Sequence, residues 1–222
     1  MLDARQAGHG GVPSVYPAGP VQKLVSLMLE TYGDEWLVIP AMHYRWHHNR
    51  DWAVAQFGAL NAPQATPEEQ LLIGARRAAP FAAAAELLGA TPSMQAAVEA
   101  SYEQLLKELD AHLAQHPALL GSAATLGDFG LIGPLYAHLW RDPASGELMR
   151  RLAPHVARWV EQLQFRPSSL HSELLPDDAI PETLKPVLRR MARKQLPVLV
   201  DSAHLVRQWM TDHPGSHAII CR

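Results

Sequence analysis

The stretch from Ala124 to Trp140, ATLGDFGLIGPLYAHLW, constrains the fold more than any other part of this sequence. Thr125 stands three residues before Asp128, which is the spacing of a capping box that satisfies the open amides of a helix start. The residues that follow are almost all apolar, so this helix should be covered on most of its sides. We therefore interpret Thr125 and Asp128 as a structural cap of a buried helix, and not Asp128 as a catalytic acid.

The rest of the sequence also shows the periodicity of helices and not that of strands. Apolar residues recur at three- and four-residue steps, and no stretch combines apolar/polar alternation with β-branched residues. Helix starts are predicted at Pro20, Pro67 and Pro143, the last beginning a helix that runs to about Phe165. The predicted fold class is all-α, with about seven or eight helices joined by short loops.

The two ends of the chain differ from its middle. Residues 1–20 are rich in glycine and proline, which is typical of a tail or the remnant of an interdomain linker, while 21–222 are predicted to form one helical domain. Near the other end, we expect Asp177 or Asp178 to cap a long final segment that internal prolines kink or break.

Composition excludes several classes of protein. The 222 residues carry a net charge of -3, which gives no reason to expect binding to nucleic acid or to an anionic membrane. The single cysteine, Cys221, allows no disulfide within one chain and fits a reducing, cytoplasmic setting. The sequence also lacks a secretion signal and an apolar run long enough to span a bilayer.

Histidine is the one unusual feature of the composition, with 12 copies, while motifs of phosphate-binding loops, dinucleotide-binding turns, zinc proteases and serine hydrolases are absent. His43 and His47 are four residues apart, so both could face one side of a helix and chelate a transition metal. Since no third ligand is identifiable, we favour hydrogen-bonded or surface histidines and assign no metal ligand.

The segment from Trp36 to Trp52 is the better candidate for binding, because it concentrates aromatic side chains and arginines. Such groups suit either the wall of a pocket for an apolar ligand or a buried helix of the core. Arg45 and Arg50 could bind a carboxylate through two parallel hydrogen bonds. Acidic residues of the same region are equally available as their internal partners: Asp34, Glu35 and Asp51.

Three segments together resemble the helical C-terminal domain of cytosolic glutathione S-transferases: LMLETYGDEWLVIPAMHYRW (27–46), TLGDFGLIGPLYAHLW (125–140) and APHVARWVEQL (153–163). In that family a Ser/Thr-x-x-Asp cap begins a central buried helix that is important for folding, and Thr125 and Asp128 match it. The resemblance implies an orthogonal helical bundle.

The resemblance also implies a place for ligands and partners. The first long helix of that domain lines the hydrophobic substrate cleft and faces the dimer partner, so a small hydrophobic molecule and a second copy of the chain, or association through an exposed helical surface, are the expected partners. The resemblance covers 21–165 best, and the extension 166–222 is similar to that of bacterial relatives. The residues that the resemblance places near the cleft, as substrate-binding candidates, are Met42, His43, Tyr44 and Trp46.

The sequence departs from the family before Val21, where no thioredoxin-like βαβ pattern is found. That domain binds glutathione and supplies the thiol-activating residue, so we assign no catalytic residue and no cofactor, and glutathione would be a co-substrate only if the domain were supplied. A gene fragment, a shortened chain and a stand-alone helical domain all fit this pattern. The leading hypothesis is a glutathione S-transferase-like domain for substrate binding and dimerisation. The alternatives are a non-catalytic ligand- or protein-binding module and a metal-dependent enzyme built on His43 and His47.

Overall fold

The computed structural model describes residues 14–165 and 173–215 of the chain. Across these ranges the backbone is mostly helical and contains no strand, and the β-type contacts are isolated bridges of Gly121 with Ala118 and with Leu174. The predicted all-α fold class is confirmed. Within the same ranges, no helix combines the length and the apolar character that a membrane crossing requires.

The α-helices are numbered in chain order. They are α1 (Pro20–Thr31), α2 (Val38–His43), α3 (Arg50–Asn61), α4 (Pro67–Leu87), α5 (Gln95–Leu113), α6 (Leu126–Pro134), α7 (Pro143–Leu152), α8 (Pro154–Phe165), α9 (Lys185–Lys194) and α10 (Leu196–Asp212). Short 3₁₀ turns lie at Pro92–Met94, Pro176–Asp178 and Glu182–Leu184.

Three π turns extend these helices within the described part of the chain. The first π turn is Tyr32–Trp36, the second is Tyr44–His48 and the third is Leu135–Trp140. In a π turn each amide bonds to the carbonyl five residues back, so the turn holds one more residue than an α-helical turn does. In the second π turn, for example, the amide of Asn49 donates to the carbonyl of Tyr44 at 3.1 Å.

The chain divides into two compact units, Met1–Lys185 and Pro186–Arg222. In the second unit, α10 begins after a break at Gln195, and Pro197 lies in its first turn, where a missing amide costs no hydrogen bond. The predicted break in the last segment is thus confirmed at this position.

The aspartate expected to cap the last segment has another role. The Asp178 carboxylate accepts hydrogen bonds from the amides of Val21 and Gln22, at 2.8 and 2.9 Å, and so caps the start of α1. The predicted cap was wrong because a side chain can cap any helix start that folding brings close, and sequence proximity does not reveal a partner more than 150 residues away.

The helix predicted over about 143–165 is also corrected. It is divided into α7 and α8 at Ala153, whose backbone is not helical (φ -143°, ψ 66°) and which is followed by Pro154. Proline disfavours the helical conformation in the residue before it, so the helix ends there and a new one starts at the proline.

The start of the central helix α6 is anchored by one buried carboxylate. Asp128 accepts hydrogen bonds from the amide and the hydroxyl of Thr125, each at 2.8 Å, and from the amide of Leu119 at 3.0 Å. Burial raises the pKa of Asp128 to about 6, although these hydrogen bonds act in the opposite direction. The side chain therefore joins the preceding loop to the first turn of the helix.

Helices α1 and α6 pack closely because small residues line their contact. The amide of Gly127 donates to the Ser26 hydroxyl at 2.9 Å, in a buried position. Farther along, a Cβ at Gly33 would collide with the backbone of Gly130. This close crossing fixes the direction in which α1 continues into the first π turn, and hence the position of the aromatic segment that follows.

Candidate functional site

A cavity of about 200 Å³ lies along α3 and is also lined by Arg45 of the second π turn. Its walls combine aromatic and aliphatic side chains with two arginines and two amides. The lining residues are Arg45, Trp52, Ala53, Gln56, Phe57, Leu60, Asn61 and Arg141. Apolar walls with a few polar groups at defined points are typical of small-molecule sites.

Arg45 is held in place by a carboxylate that the sequence did not single out. Its guanidinium donates to both carboxylate oxygens of Asp142, at 2.7 and 2.6 Å, and to the carbonyl of Ala137 at 3.0 Å. Burial raises the pKa of Asp142, while the Arg45 guanidinium acts to lower it. Among the alternatives left open by the sequence, Arg45 thus has an internal partner, and that partner is Asp142.

The two arginines at this end of the cavity differ, because the charge of Arg45 is paired with that of Asp142. Arg141 makes a longer hydrogen bond, of 3.4 Å, to the side-chain oxygen of Gln56. Burial lowers the pKa of nearby His138 to about 4, and the charges of Arg45 and Arg141 lower it further. His138 therefore stays neutral at pH 7, mainly because it is buried, and Arg141 is the cavity-lining group that can attract an anion at this edge.

The four residues proposed from the resemblance to line a substrate cleft are all buried. Met42 and Trp46 pack in an apolar cluster with alanines of α4, such as Ala78. The Trp46 ring lies 6.1 Å from that of Phe57, which lines the cavity, so Trp46 stands behind the cavity wall. None of the four is among the residues that line this cavity, and their contact with a substrate stays a prediction.

His43 and Tyr44 belong to a second polar site. The Nε2 atom of His43 lies 2.9 Å from Oε1 of Glu99, and Nε2 of His48 lies 2.7 Å from the same oxygen. Glu99 lies near the start of α5. His43 is the last residue of α2, and His48 is the last residue of the second π turn. We call these three residues the histidine–glutamate cluster. Tyr44 packs beside it, with its ring 5.2 Å from that of His48.

Electrostatics within the histidine–glutamate cluster follow from burial and from its hydrogen bonds. Burial lowers the pKa of His43, which has no solvent-accessible surface. The hydrogen bond from His43 is the main cause that lowers the pKa of Glu99. Burial raises the pKa of Tyr44 well above its ordinary value, so its hydroxyl stays protonated at neutral pH.

Of the histidine pair that the sequence suggested, His43 belongs to this cluster and His47 does not. His47 is exposed, its Nδ1 atom lies 3.2 Å from the backbone carbonyl of His43, and its ring lies 4.9 Å from that of His43, whereas the histidines bonded to Glu99 are His43 and His48. Sequence reasoning missed Glu99, Arg141 and Asp142, since no spacing rule links them to the aromatic segment and only the packing of distant helices brings them to it.

These features define an all-helical domain with a capped central helix, α6, and an aromatic cavity along α3. Residues 77–162 match the family model described as "Glutathione S-transferase, C-terminal domain". This part of the chain is therefore similar to the C-terminal domain of glutathione S-transferases. The matched range runs from within α4 into α8 and includes the cap of α6. No curated protein and no solved structure matches the chain.

Proposed function

We propose that this glutathione S-transferase C-terminal-like domain binds a small molecule with one apolar ring and an anionic group in the cavity along α3. The observation that carries the proposal is the placement of an aromatic wall, Trp52 and Phe57, next to the guanidinium of Arg141. The resemblance to the transferases supports it, because their helical half lines the cleft for the electrophilic substrate. Ligand binding, and not thiol activation, is the role proposed for these residues.

The size of the cavity limits the ligand. Its volume is about 200 Å³, whereas an apolar cavity of about 150 Å³ accepts benzene and pockets for drug-sized molecules have about 300–1,000 Å³. One aromatic ring with a short substituent is therefore the size class that fits. A larger ligand would have to extend from the cavity into solvent.

The charges around the cavity indicate the polar part of the ligand. Arg45 is already engaged through two hydrogen bonds by the buried Asp142, so its role is to shape the wall. Arg141 is exposed and forms the longer bond to Gln56, so it can turn towards a ligand at little cost. A carboxylate on the ligand would accept a charge-assisted hydrogen bond from Arg141, which is the strong kind.

Phenylacetate is a suitable probe, with phenylacetamide as its neutral counterpart of nearly the same shape. By isothermal titration calorimetry we expect phenylacetate to bind with a dissociation constant below about 1 mM, and phenylacetamide to bind more weakly. Arg141→Gln should weaken phenylacetate binding by about tenfold, corresponding to about 1.4 kcal/mol. The control is Arg50→Gln, an exposed arginine at the start of α3 that does not line the cavity.

Two results would contradict this proposal. One is the absence of phenylacetate binding at millimolar concentration to the folded protein. The other is an equal loss of affinity in the Arg50 and Arg141 variants, since this would show a general effect of surface charge and not a contact in the cavity.

A further inference from the structure

We propose that His43, His48 and Glu99, the histidine–glutamate cluster, bind a divalent transition-metal ion of the zinc type. Both imidazole Nε2 atoms approach the same carboxylate oxygen, at 2.9 and 2.7 Å. Two imidazoles and one carboxylate are a donor set that such ions prefer. This site is separate from the cavity along α3, which none of the three residues lines.

The distances within the cluster are close to those that a metal requires. One ligand atom from each residue can be chosen so that all three lie within 4.8 Å of one another. Zinc bonds nitrogen and oxygen at about 2.0–2.2 Å, so the ligand atoms of a tetrahedral site lie about 3.3–3.6 Å apart. Small rotations of Glu99 and His48 would therefore replace the two hydrogen bonds with metal bonds. Three protein ligands would leave a fourth position for water.

The second π turn produces this arrangement. His43 and His48 are five residues apart, and with the additional residue of the second π turn the ring of His48 lies 5.3 Å from that of His43. Glu99 then approaches from α5, which packs against α2. The ligands thus come from two helices that the fold holds together, which is a more rigid support than a loop.

One ligand of the cluster is buried and two are partly exposed, which suits the binding of an ion from solvent. The side chain of His43 has no exposed surface, so its ring is held by the surrounding packing. The side chains of His48 and Glu99 are 41% and 34% exposed, which leaves a path for an ion and room for water. An ion would therefore meet the two accessible ligands first and the fixed inner ligand, His43, last.

The same contacts also allow a purely structural role. Glu99 could act as a clamp that joins the second π turn to α5 through its hydrogen bonds to the two histidines. A clamp requires no ion, whereas a metal site should show a defined stoichiometry and a coordination spectrum. These readouts distinguish the two roles.

The experiment uses the full chain without an affinity tag, first treated with a chelator and then dialysed. We expect titration with Co²⁺ to produce the visible absorption bands of a four- or five-coordinate site, saturating at one ion per chain, and Zn²⁺ to displace the Co²⁺. His48→Gln and Glu99→Gln should each weaken binding by about tenfold or more, since even outer-shell partners are worth about 10–100-fold. His47→Gln is the matched control, because His47 is adjacent in sequence but lies outside the cluster.

Near-ultraviolet circular dichroism and the melting temperature establish that each variant is folded. His48→Gln should lower the melting temperature only slightly, because the His48 side chain is 41% exposed. Failure of the folded wild-type protein to bind Co²⁺ stoichiometrically would overturn the proposal in favour of the clamp. Equal weakening by His47→Gln would also overturn it, since the ion would then be held by histidines of the helix surface.

Discussion

The Asp142 carboxylate and the Arg45 guanidinium form a two-bond ion pair that ties the second π turn to the residue before α7. The Asp142 side chain is 1% exposed and that of Arg45 is 14% exposed, so the pair is largely shielded from water. Arg45 also lines the cavity, which means that the same contact supports both the packing of the bundle and the wall of the proposed site.

Removing one member of this ion pair should destabilise the fold. We expect Asp142→Leu to lower the free energy of unfolding by about 3 kcal/mol, because it leaves the Arg45 charge shielded from water without its partner. The double variant Arg45→Met/Asp142→Leu should recover a large part of the loss, since no unpaired charge remains. Urea denaturation measures both. Arg50→Ala is the control and should change stability by less than about 0.5 kcal/mol; a comparable loss in this variant would contradict the interpretation.

The close crossing of α1 and α6 gives a second prediction. At Gly130 a Cβ would meet the Cα and Cβ atoms of Glu30 within 3.0 Å, and backbone cannot easily move away. We expect Gly130→Ala to destabilise the fold by about 1–3 kcal/mol. Gly133, on the same helix, has no atom within 4 Å of an added Cβ, so Gly133→Ala should stabilise by up to about 1 kcal/mol. Thermal unfolding of the two variants tests this, and shifts of the same sign would refute it.

Asp128 should matter for folding and not for ligand binding. Asp128→Ala leaves the buried amides of Leu119 and Thr125 without their acceptor, so we expect a loss of about 2 kcal/mol or more. The capping box of α4, in which Thr66 and Glu69 pair, is exposed and provides a comparison. There water can replace the lost bonds, and Glu69→Ala should cost about 1 kcal/mol or less. Denaturant midpoints measure the difference, and affinity for phenylacetate should stay unchanged in both folded variants.

Burial of His112 predicts a loss of stability in mild acid. Burial lowers the pKa of His112 to about 4 from 6.5, and the neighbouring His116 contributes. Between these two pH values the unfolded chain binds a proton that the folded chain excludes, so stability falls as pH decreases from about 6.5 to 4 and is level above that range. The full effect is about 3 kcal/mol at 1.36 kcal/mol per unit.

The measurement is the urea midpoint of the wild type and of His112→Gln at several pH values between 7.5 and 4.5. The variant should show a smaller dependence on pH, even if it is less stable at every pH. His204, exposed on α10, is the control, and His204→Gln should keep the wild-type dependence. An unchanged slope in His112→Gln would show that other groups cause the acid sensitivity.

Much of the fold was predictable from local signals. The start of α4 at Pro67 follows from Thr66 and Glu69, and the start of α7 follows from Pro143 at its first position, because capping and proline effects act within one turn. Asp142 does not cap α7, since its carboxylate pairs with Arg45. The break at Ala153 could have been found by the same rule, since it precedes Pro154.

The candidate sites were less predictable, because they depend on contacts between distant parts of the chain. The sequence identified Trp36–Trp52 as the segment of interest, and both sites draw on it. It could not identify the contacts of Glu99, on α5, or of Asp142, just before α7, with this segment. The predicted closeness of His43 and His47 is found, since their rings lie 4.9 Å apart, but it is His48 that contacts Glu99, a residue the sequence could not link to this segment.

The π turns have a consequence for comparing this chain with related sequences. Each one holds a single additional residue in its turn. Deleting one residue between His43 and His48 would place the two histidines at the four-residue spacing of an ordinary α-helix and rotate the residues after the deletion by about 100° relative to those before it. In an alignment, a one-residue gap in Tyr44–His48 would therefore mark a different orientation of His48 towards Glu99, even where the helical pattern of the sequence is unchanged.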